Sequence, residues 1–311
     1  MDAAAPSVLV LLGATATGKT AVAVEVARRL GGEIISADSR AFFRGLNVVT
    51  AKPSLSERAG VPHHLIDHIP FDASYDAMVF RRDVEGLVPE IIGRGAVPIL
   101  AGGGTLYLRA VLGGLFEGPS KDEDFRAELE DVGSDLLHER LAAVDPDAAR
   151  AIHPNDRLRI VRALEVHRET GRPISELQAQ AEPLPYDFSI FGLRRERKAH
   201  RSAIARRAQE MIEAGLVGEI RTLLANGLTR DMQAYRTIGI PEVDAHLAGE
   251  TTADEMADAI VRATWALARR QMSWFRREPN VVWLDVTERT VSDGASRICE
   301  HWHSRRRDGT A

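Results

Sequence analysis

The sequence predicts an α/β protein with helices on both faces of a parallel sheet and an all-helical segment inserted into it. Two observations support this prediction. Short apolar runs alternate with stretches of helical spacing, a pattern typical of doubly wound parallel sheets. The first strand–helix unit contains GATATGKT, residues 13–20, which has the G-x4-G-K-[ST] form of a phosphate-binding loop. The predicted core is therefore a P-loop NTPase-like sheet.

The phosphate-binding loop follows an apolar run at 8–12 and precedes a helical stretch at 20–30. Glycines let backbone N–H groups point into an anion site, and a helix N-terminus adds roughly half a positive charge. Lys19 supplies a full charge and Thr20 a hydroxyl for Mg²⁺. We expect a diphosphate to contact Gly13, Ala14, Thr15, Ala16, Thr17, Gly18, Lys19 and Thr20. The loop leaves open which molecule carries the phosphates.

A second strand is predicted at 33–37, and Asp38 follows at its carboxyl end. Ligands bind at this edge of open parallel sheets. The Asp38 carboxylate has three uses there: magnesium ligand, proton acceptor, or cap of the next turn. Further on, Lys52 precedes Pro53 in a predicted loop.

The next stretch predicts a third strand at 61–69, a helix at 76–94 interrupted at Pro89, and a fourth strand at 97–101. His63 and His64 lie in the third strand without a spaced metal-binding partner, so a structural role is favoured for both. Three glycines, Gly102 to Gly104, then allow a close approach of backbone and ligand before a helix at 105–112.

The composition changes near residue 113. Residues 125–180 have helical spacing, which predicts a helical insertion domain at 117–185 within a core of residues 1–116 and 186–311. In the insertion, Arg157, Arg159 and Arg162 surround an apolar stripe. The acidic cluster at 122–124 has no second acidic motif, so we interpret it as solvated.

The second half of the core predicts a returning strand, a long basic helix, a last long helix and a final strand. These lie at 188–193, 194–215, 252–275 and 281–285. No internal repeat is present.

Composition excludes several classes of protein. No apolar run approaches the ~18 residues of a membrane span, and the N-terminus lacks the features of a secretion signal. The single Cys299 excludes an internal disulfide and suggests a reducing cytoplasm. We expect a cytoplasmic monomer. The net charge of −5 does not by itself indicate a nucleic-acid partner. Local basic clusters do favour RNA modestly: 157–162, 194–207, 269–277 and 305–307.

Taken together, the motifs resemble the tRNA dimethylallyltransferase family, also called tRNA isopentenyltransferases. The segments that carry the resemblance occur in the family's order and spacing: GATATGKT, GGEIISADS, TAKP, VPHHLID, PILAGG followed by LYLRA, DPDAARAIHPNDRLRIVRALEV, the Gly215–Leu216 pair and RRQMSWFRR. The resemblance covers nearly the whole chain. Because so many motifs stand in register, it implies a common fold.

The resemblance implies that the loop holds dimethylallyl diphosphate rather than ATP, with Mg²⁺ as cofactor. It implies transfer of the dimethylallyl group to N6 of an adenosine next to the tRNA anticodon. Asp38 would take the proton from the amine, and the helical insertion would grip the anticodon stem-loop. Acceptor contacts are expected from Asp38, Ser39, Arg40, Ala41, Lys52, Gly104, Thr105, Arg157, Arg159, Arg162, Arg270 and Gln271.

Several positions depart from the family's pattern. Ala41 and Phe43 replace a glutamine and a tyrosine, and GGGTLY moves a hydroxyl from position 104 to Thr105. Ala203 replaces an arginine expected at the diphosphate. Arg206 and Arg207 follow three and four residues later on nearly the same helical face and could substitute for it. Other departures are Ile240, Pro241, Trp265 and Ala266. For the lone Trp265, core packing is favoured over base stacking.

These departures keep four functions open. Transfer to tRNA is favoured because the helical insertion is retained. Transfer to a small acceptor such as AMP is the second hypothesis, motivated by Ala41. A non-catalytic RNA-binding protein is the third, and a nucleotide kinase the fourth.

Overall fold

The computed structural model describes residues 5–308, with side chains to Arg305. Within these residues the chain divides into two compact units. One comprises the chain up to Ala110 and from Pro185 onward, and the other is Val111–Leu184. The first contains the sheet and the second is helical. None of the described helices is both long and apolar enough to span a bilayer.

The core unit is built on one six-stranded sheet in which every strand pairing is parallel. Its strands are β1 (Ser7–Gly13), β2 (Gly32–Ser36), β3 (His63–His64), β4 (Val97–Gly102), β5 (Asp187–Arg194) and β6 (Val282–Asp285). The order across the sheet is β3-β2-β4-β1-β5-β6. Because β1 lies between β4 and β5, the segments that follow these three strands meet at one edge of the sheet.

Helices connect and cover the strands. In the core unit they are α1 (Lys19–Leu30), α2 (Leu55–Arg58), α3 (Ala77–Gly93), α4 (Thr105–Leu112), α10 (Arg197–Glu213), α11 (Leu216–Ala225), α12 (Ile240–Leu247), α13 (Ala253–Phe275) and α14 (Val291–Asp308). The helical unit contains α5 (Glu123–Glu128), α6 (Ser134–Val144), α7 (Pro146–Ala151), α8 (Arg157–Thr170) and α9 (Ile174–Ala179). The fold class predicted from the sequence is confirmed.

The third strand is much shorter than the nine residues predicted. Only His63 and His64 pair with β2. Leu65 and Asp67 adopt left-handed backbone conformations, with φ of 59° and 52°, which end the extended run. The apolar content of this stretch therefore packs as an irregular segment.

α3 continues through Pro89 without the predicted interruption. Proline removes one helical hydrogen bond and frees the carbonyl four residues earlier. That carbonyl belongs to Glu85, and it accepts a hydrogen bond from the Tyr186 hydroxyl at 3.3 Å. A side-chain donor thus replaces the missing N–H.

A large apolar cluster lies between the sheet and the paired helices α1 and α14. It includes Leu11, Val26, Ile298 and Trp302. Cys299 is buried in the same cluster, where it packs as a small apolar residue. This packing fixes the axis of α1 and hence the direction in which its N-terminus points.

The helical unit has a buried carboxylate at its centre. Glu165 is completely buried and accepts hydrogen bonds from Arg126, Arg162 and the Asp122 backbone N–H. Burial alone would raise the pKa of Glu165, but these hydrogen bonds lower it to about 2. The unit therefore has a charged hub within its core.

Candidate active site

The phosphate loop connects β1 to the first turn of α1. Gly18 has φ of 89° and Ala16 has φ of 61°, conformations that turn successive N–H groups toward one side. The Thr17 hydroxyl is buried and donates to the Ala14 carbonyl at 2.8 Å, which ties the loop together. A Cβ at position 13 would lie 2.8 Å from the Leu193 carbonyl oxygen, so only glycine fits beside β5. These features form an anion-binding concavity.

The peptide groups of Thr15 are held by side chains from two distant helices. The Thr15 N–H donates to Gln271 Oε1 at 2.9 Å, and Gln271 Nε2 donates to the Gly103 carbonyl at 2.7 Å. On the other side, His200 Nε2 lies 2.8 Å from the Thr15 carbonyl oxygen. Since a carbonyl only accepts, the proton of the His200 ring lies on Nε2. Helices α10 and α13 therefore brace the phosphate loop.

Lys19 begins α1 and its ammonium group is enclosed by the loop. Lys19 Nζ donates to the Ala14 carbonyl at 3.0 Å. Burial lowers the pKa of Lys19 to about 8; the positive charge of Arg207 acts in the same direction, while the Asp38 carboxylate opposes it. A lysine ammonium held in this way favours an anionic ligand that restores its charge balance.

Asp38 lies just beyond the carboxyl end of β2. Its Oδ1 accepts the Arg40 backbone N–H at 2.9 Å, so the carboxylate does cap a turn. The same side chain also lines the cavity beside the phosphate loop. A Cβ at Gly102 would lie 2.2 Å from the Ala37 carbonyl oxygen, which shows how closely β4 approaches this turn. The turn is thus held rigidly with the carboxylate exposed to the cavity.

One cavity of about 90 Å³ joins these groups. It brings together eight residues predicted from the sequence: Thr15, Lys19, Thr20, Asp38, Ala41, Lys52, Arg207 and Gln271. The Lys52 ammonium is already paired, 2.6 Å from Asp67 Oδ1. The cavity also contains His63, whose role was predicted to be structural; His64 instead pairs with Glu33.

Arg206 and Arg207 point in different directions. Arg207 reaches the cavity and donates to the Thr50 carbonyl at 3.3 Å. Arg206 is exposed and pairs with Glu210 at 3.5 Å on the outer face of α10. The structure therefore brings one of the two predicted arginines to the phosphate loop.

The remaining predicted acceptor residues lie around the cavity or away from it. Gly104 donates its N–H to the Ala37 carbonyl at 2.9 Å, close to the backbone of Ser39. Thr105 begins α4, and Arg40 donates to the Gln233 carbonyl at 2.7 Å. Arg270 is exposed on α13. None of these five residues lines the cavity: Ser39, Arg40, Gly104, Thr105 and Arg270.

The three arginines of the helical unit also differ. Arg157 donates to the Val132 carbonyl at 2.5 Å, and Arg162 donates to the Pro119 carbonyl at 2.8 Å. Arg159 keeps 72% of its side chain exposed and lies 3.4 Å from Asp156. Of the three, only Arg159 extends mainly into solvent. Arg306 and Arg307, from the last basic cluster, lie outside the side chains that the structure describes.

Two basic side chains contact the phosphate loop that were not predicted from the sequence. Arg195 Nε donates to the Thr17 carbonyl at 3.3 Å, and His200 holds Thr15. Both residues follow β5, which pairs directly with β1. A prediction that β5 lies next to β1 would have indicated that they are close to the loop. Trp265 packs edge-on against the His200 ring, with centroids 5.6 Å apart, in agreement with the packing role favoured for it.

The residues present fit a magnesium ion that is coordinated partly by the protein and partly by a bound diphosphate. Mg²⁺ takes few protein ligands and completes its shell with phosphate oxygens and water. The Thr20 hydroxyl and the Asp38 carboxylate line the same cavity. Among the described residues, no group of three or more histidine, cysteine or acidic side chains forms a dedicated metal site.

Comparisons with known proteins show which family the chain resembles. The model of the IPP transferase family matches residues 41–278, and that of the isopentenyl transferase family matches residues 6–70. The chain is 43% identical to a tRNA dimethylallyltransferase 2 of Geotalea uraniireducens, covering 94% of this chain and 95% of that one. It is 41% identical to the tRNA dimethylallyltransferase of Thermotoga maritima, covering 92% and 94%.

Solved structures extend the similarity. The full-length tRNA isopentenylpyrophosphate transferase of Bacillus halodurans superposes with a TM-score of 0.75 at 36% identity, covering 98% of both chains. A eukaryotic dimethylallyltransferase acting on tRNA superposes with a TM-score of 0.78 at 25% identity, covering 91% of this chain and 74% of that one. The resemblance found in the sequence is confirmed: this chain belongs to the IPP transferase family.

Proposed function

We propose that this protein transfers a dimethylallyl group from dimethylallyl diphosphate to N6 of an adenosine next to the anticodon of tRNA. The observation that carries the proposal is the shared cavity. The anion-binding groups Lys19, Thr20 and Arg207 and the carboxylate of Asp38 all line it. A leaving-group site and a proton acceptor therefore face the same enclosed space.

The phosphate loop acts on the leaving group. Breaking the bond between C1 of the dimethylallyl group and the diphosphate oxygen adds negative charge to the diphosphate and positive charge to the allylic carbons. Lys19, Arg207 and the loop N–H groups meet that negative charge without having to reorganise, because Gln271 and His200 already brace Thr15. Fixed donors of this kind lower the barrier most in an enclosed site.

Asp38 acts on the acceptor. As the bond from N6 to C1 forms, the amine becomes acidic and gives its proton to the Asp38 carboxylate, from which it passes to water. The hydrogen bond from the Arg40 N–H to Oδ1 orients this carboxylate. An adenine inside a stacked loop cannot reach an enclosed cavity, so the base must leave the stack, at a cost of a few kcal/mol.

Mg²⁺ belongs to the proposal as a partner of the diphosphate. The Thr20 hydroxyl would hold it, with oxygens of the diphosphate and water as the other ligands. When bound, the ion supplies additional positive charge at the leaving diphosphate. The contributions of the protein side chains described above do not depend on its position.

RNA recognition is supported by exposed cations. In the helical unit Arg159 extends into solvent, and on α13 Arg270 is exposed. Such side chains contact phosphates and position an RNA without reading its sequence. Arg157 and Arg162 donate hydrogen bonds to backbone carbonyls of their own unit. We therefore assign them a structural role in that unit.

One observation favours a small acceptor as a second candidate. Ala41 lines the cavity and is 6% exposed, so no amide side chain at this position can read an adenine edge. A free nucleotide such as AMP requires less base discrimination than an anticodon loop. The non-catalytic hypothesis is weakened, since Arg207 supplies a cation at the loop although position 203 is alanine.

A labelled-donor assay tests the proposal. Purified protein is mixed with Mg²⁺ and dimethylallyl diphosphate labelled in the allyl group, together with tRNA, AMP or no acceptor. We expect label in tRNA only. Label in AMP but not in tRNA would replace the first candidate with the second. Tight RNA binding without any transfer would favour the non-catalytic hypothesis, and phosphoryl transfer from ATP would favour a kinase.

A further inference from the structure

The cavity beside the phosphate loop extends below the reacting groups along one face of the sheet. Ser36 pairs in register with Ala101, and two residues earlier Ile34 pairs with His63. Partners in register lie on the same face, as do residues two apart on one strand. All four residues line the cavity. Ile34 and His63 therefore form the level below Ser36, farther from Asp38.

Helix α1 covers this face of the sheet. Ala23 lies one turn beyond Thr20 and also lines the cavity, and it shares a buried apolar cluster with Ile34. Ala23 on the helix and Ile34 on the strand therefore both line this end of the cavity. A donor whose phosphates are held at Thr20 can place its hydrocarbon against these two apolar side chains.

The deep end is rigid. Ile34 is 3% exposed and lies between Ile99 and His63 in the sheet register. The His63 ring is held by a hydrogen bond between Nδ1 and the Val61 carbonyl, 2.8 Å long. Close-packed interiors yield little to an added methylene group. A longer hydrocarbon therefore cannot push this wall aside without cost.

The depth of this end supports the same conclusion. A strand rises about 3.3 Å per residue, so Ile34 lies about 7 Å below Ser36 along β2. One isoprene unit fits within that depth, whereas the ten carbons of a geranyl group exceed it.

Resting on the proposed prenyl transfer, we infer that Ile34, backed by Ala23 and His63, closes the cavity after one isoprene unit and restricts the donor to five carbons. The side chain of Ile34 is the specificity determinant, since it is the larger of the two apolar side chains, Ala23 and Ile34, that line this end. Its removal should lengthen the acceptable donor by about the number of carbons deleted.

The test is a graded donor series assayed by transfer to tRNA. The donors are dimethylallyl, (E)-3-methylpent-2-enyl, (E)-3-methylhex-2-enyl and geranyl diphosphate. In the parent protein, each carbon added beyond five should lower kcat/KM roughly 10-fold or more, the usual effect of one methylene in a tight apolar pocket. Ile34→Val deletes one carbon and should admit the six-carbon donor, while Ile34→Ala deletes three and should admit the seven-carbon donor as well.

Ile35→Ala is the matched control. Ile35 is the next residue on β2, is fully buried and faces the opposite side of the sheet, in register with His64 and Leu100. It loses the same atoms and a comparable amount of stability, but its donor preference should equal that of the parent. A shift of preference in Ile35→Ala as large as in Ile34→Ala would show general loosening and overturn the inference.

The outcomes separate the two proposals. Parent protein that transfers the dimethylallyl group to tRNA, with unchanged donor ratios in both Ile34 variants, overturns the inference and leaves the proposed function standing. Parent protein that transfers no prenyl group to any acceptor overturns the proposed function. If Ile34→Ala does not fold, the preference of Ile34→Val for the six-carbon donor decides.

Discussion

The side chain of Gln271 bridges the Thr15 N–H of the phosphate loop and the Gly103 carbonyl after β4, with distances of 2.9 and 2.7 Å. The bridge is buried, since Gln271 is 8% exposed. A single amide from α13 therefore fixes the phosphate loop relative to the strand end beside Asp38. Gln271 was expected to contact the acceptor, and that contact stays a prediction; the hydrogen bonds it does make hold the loop in place.

Gln271→Leu should impair transfer without unfolding the protein. The change leaves two buried backbone groups unpaired, at a cost of about 1–3 kcal/mol of stability. A loop displaced by about 1 Å lowers the rate up to roughly 100-fold. Steady-state transfer to tRNA measures the effect, with Gln209→Leu on the surface of α10 as control. If Gln271→Leu has the kcat/KM of the parent protein, the hydrogen bonds of Gln271 are not needed for transfer.

Lys19 should impose an upper pH limit on donor capture. Its pKa is lowered to about 8. In the proposed mechanism only the protonated form meets the charge of the diphosphate. The kcat/KM for dimethylallyl diphosphate reports the free enzyme, so it should fall about 10-fold per pH unit above pH 8. An arginine at position 19 stays charged above pH 8, so Lys19→Arg should not show this decline of kcat/KM. If the decline persists in Lys19→Arg, another group is responsible for it.

Arg207→Ala and Arg206→Ala form a matched pair. Arg207 lines the cavity, whereas Arg206 faces solvent beside Glu210. Losing a charged hydrogen bond to the diphosphate costs about 1.5–3 kcal/mol, roughly a 10- to 150-fold drop in kcat/KM. Arg206→Ala should change kcat/KM less than twofold. Equal losses in both variants would contradict the assignment of Arg207 to the donor.

Glu165→Gln should destabilise the helical unit by about 1–3 kcal/mol at pH 7. The pKa of Glu165 in the folded protein, about 2, lies below the ordinary glutamate pKa of 4.5. Its stabilisation is therefore complete above pH 4.5 and is lost as the pH falls toward 2. Urea unfolding at pH 7 and pH 3 should show a smaller difference between parent and variant at pH 3.

Glu176→Gln is the control for this comparison. Glu176 lies on α9 and forms an exposed salt bridge with Arg172, which precedes that helix. Exposed pairs contribute little, so the control should match the parent at both pH values. A Glu165→Gln protein as stable as Glu176→Gln at pH 7 would show that the hub does not hold the unit together.

The sequence predicted the core strands and the phosphate loop because both are written in local patterns. The apolar runs of β1, β2, β4 and β5 and the spacing of Gly13, Gly18 and Lys19 need no tertiary information. The limits appeared where backbone turns decide the structure. The run at 61–69 was predicted to be one strand, yet left-handed residues shorten β3 to two residues.

The bracing of the loop could not be read from local patterns. His200 and Gln271 lie 185 and 256 residues from Thr15 along the chain, and only the strand order and helix packing bring them together. Likewise, helical spacing alone does not distinguish the directions of Arg206 and Arg207, because neighbouring residues differ by about 100° around the axis. Which of them faces the cavity depends on how α10 packs.

The decisive measurement is mass analysis of adenosine from tRNA incubated with the protein, Mg²⁺ and dimethylallyl diphosphate. We expect one adenosine beside the anticodon to gain one C5H8 unit, and Asp38→Asn to lower this gain roughly 100-fold or more. Unmodified adenosine after incubation with folded parent protein, or equal modification by parent and Asp38→Asn, would contradict this expectation.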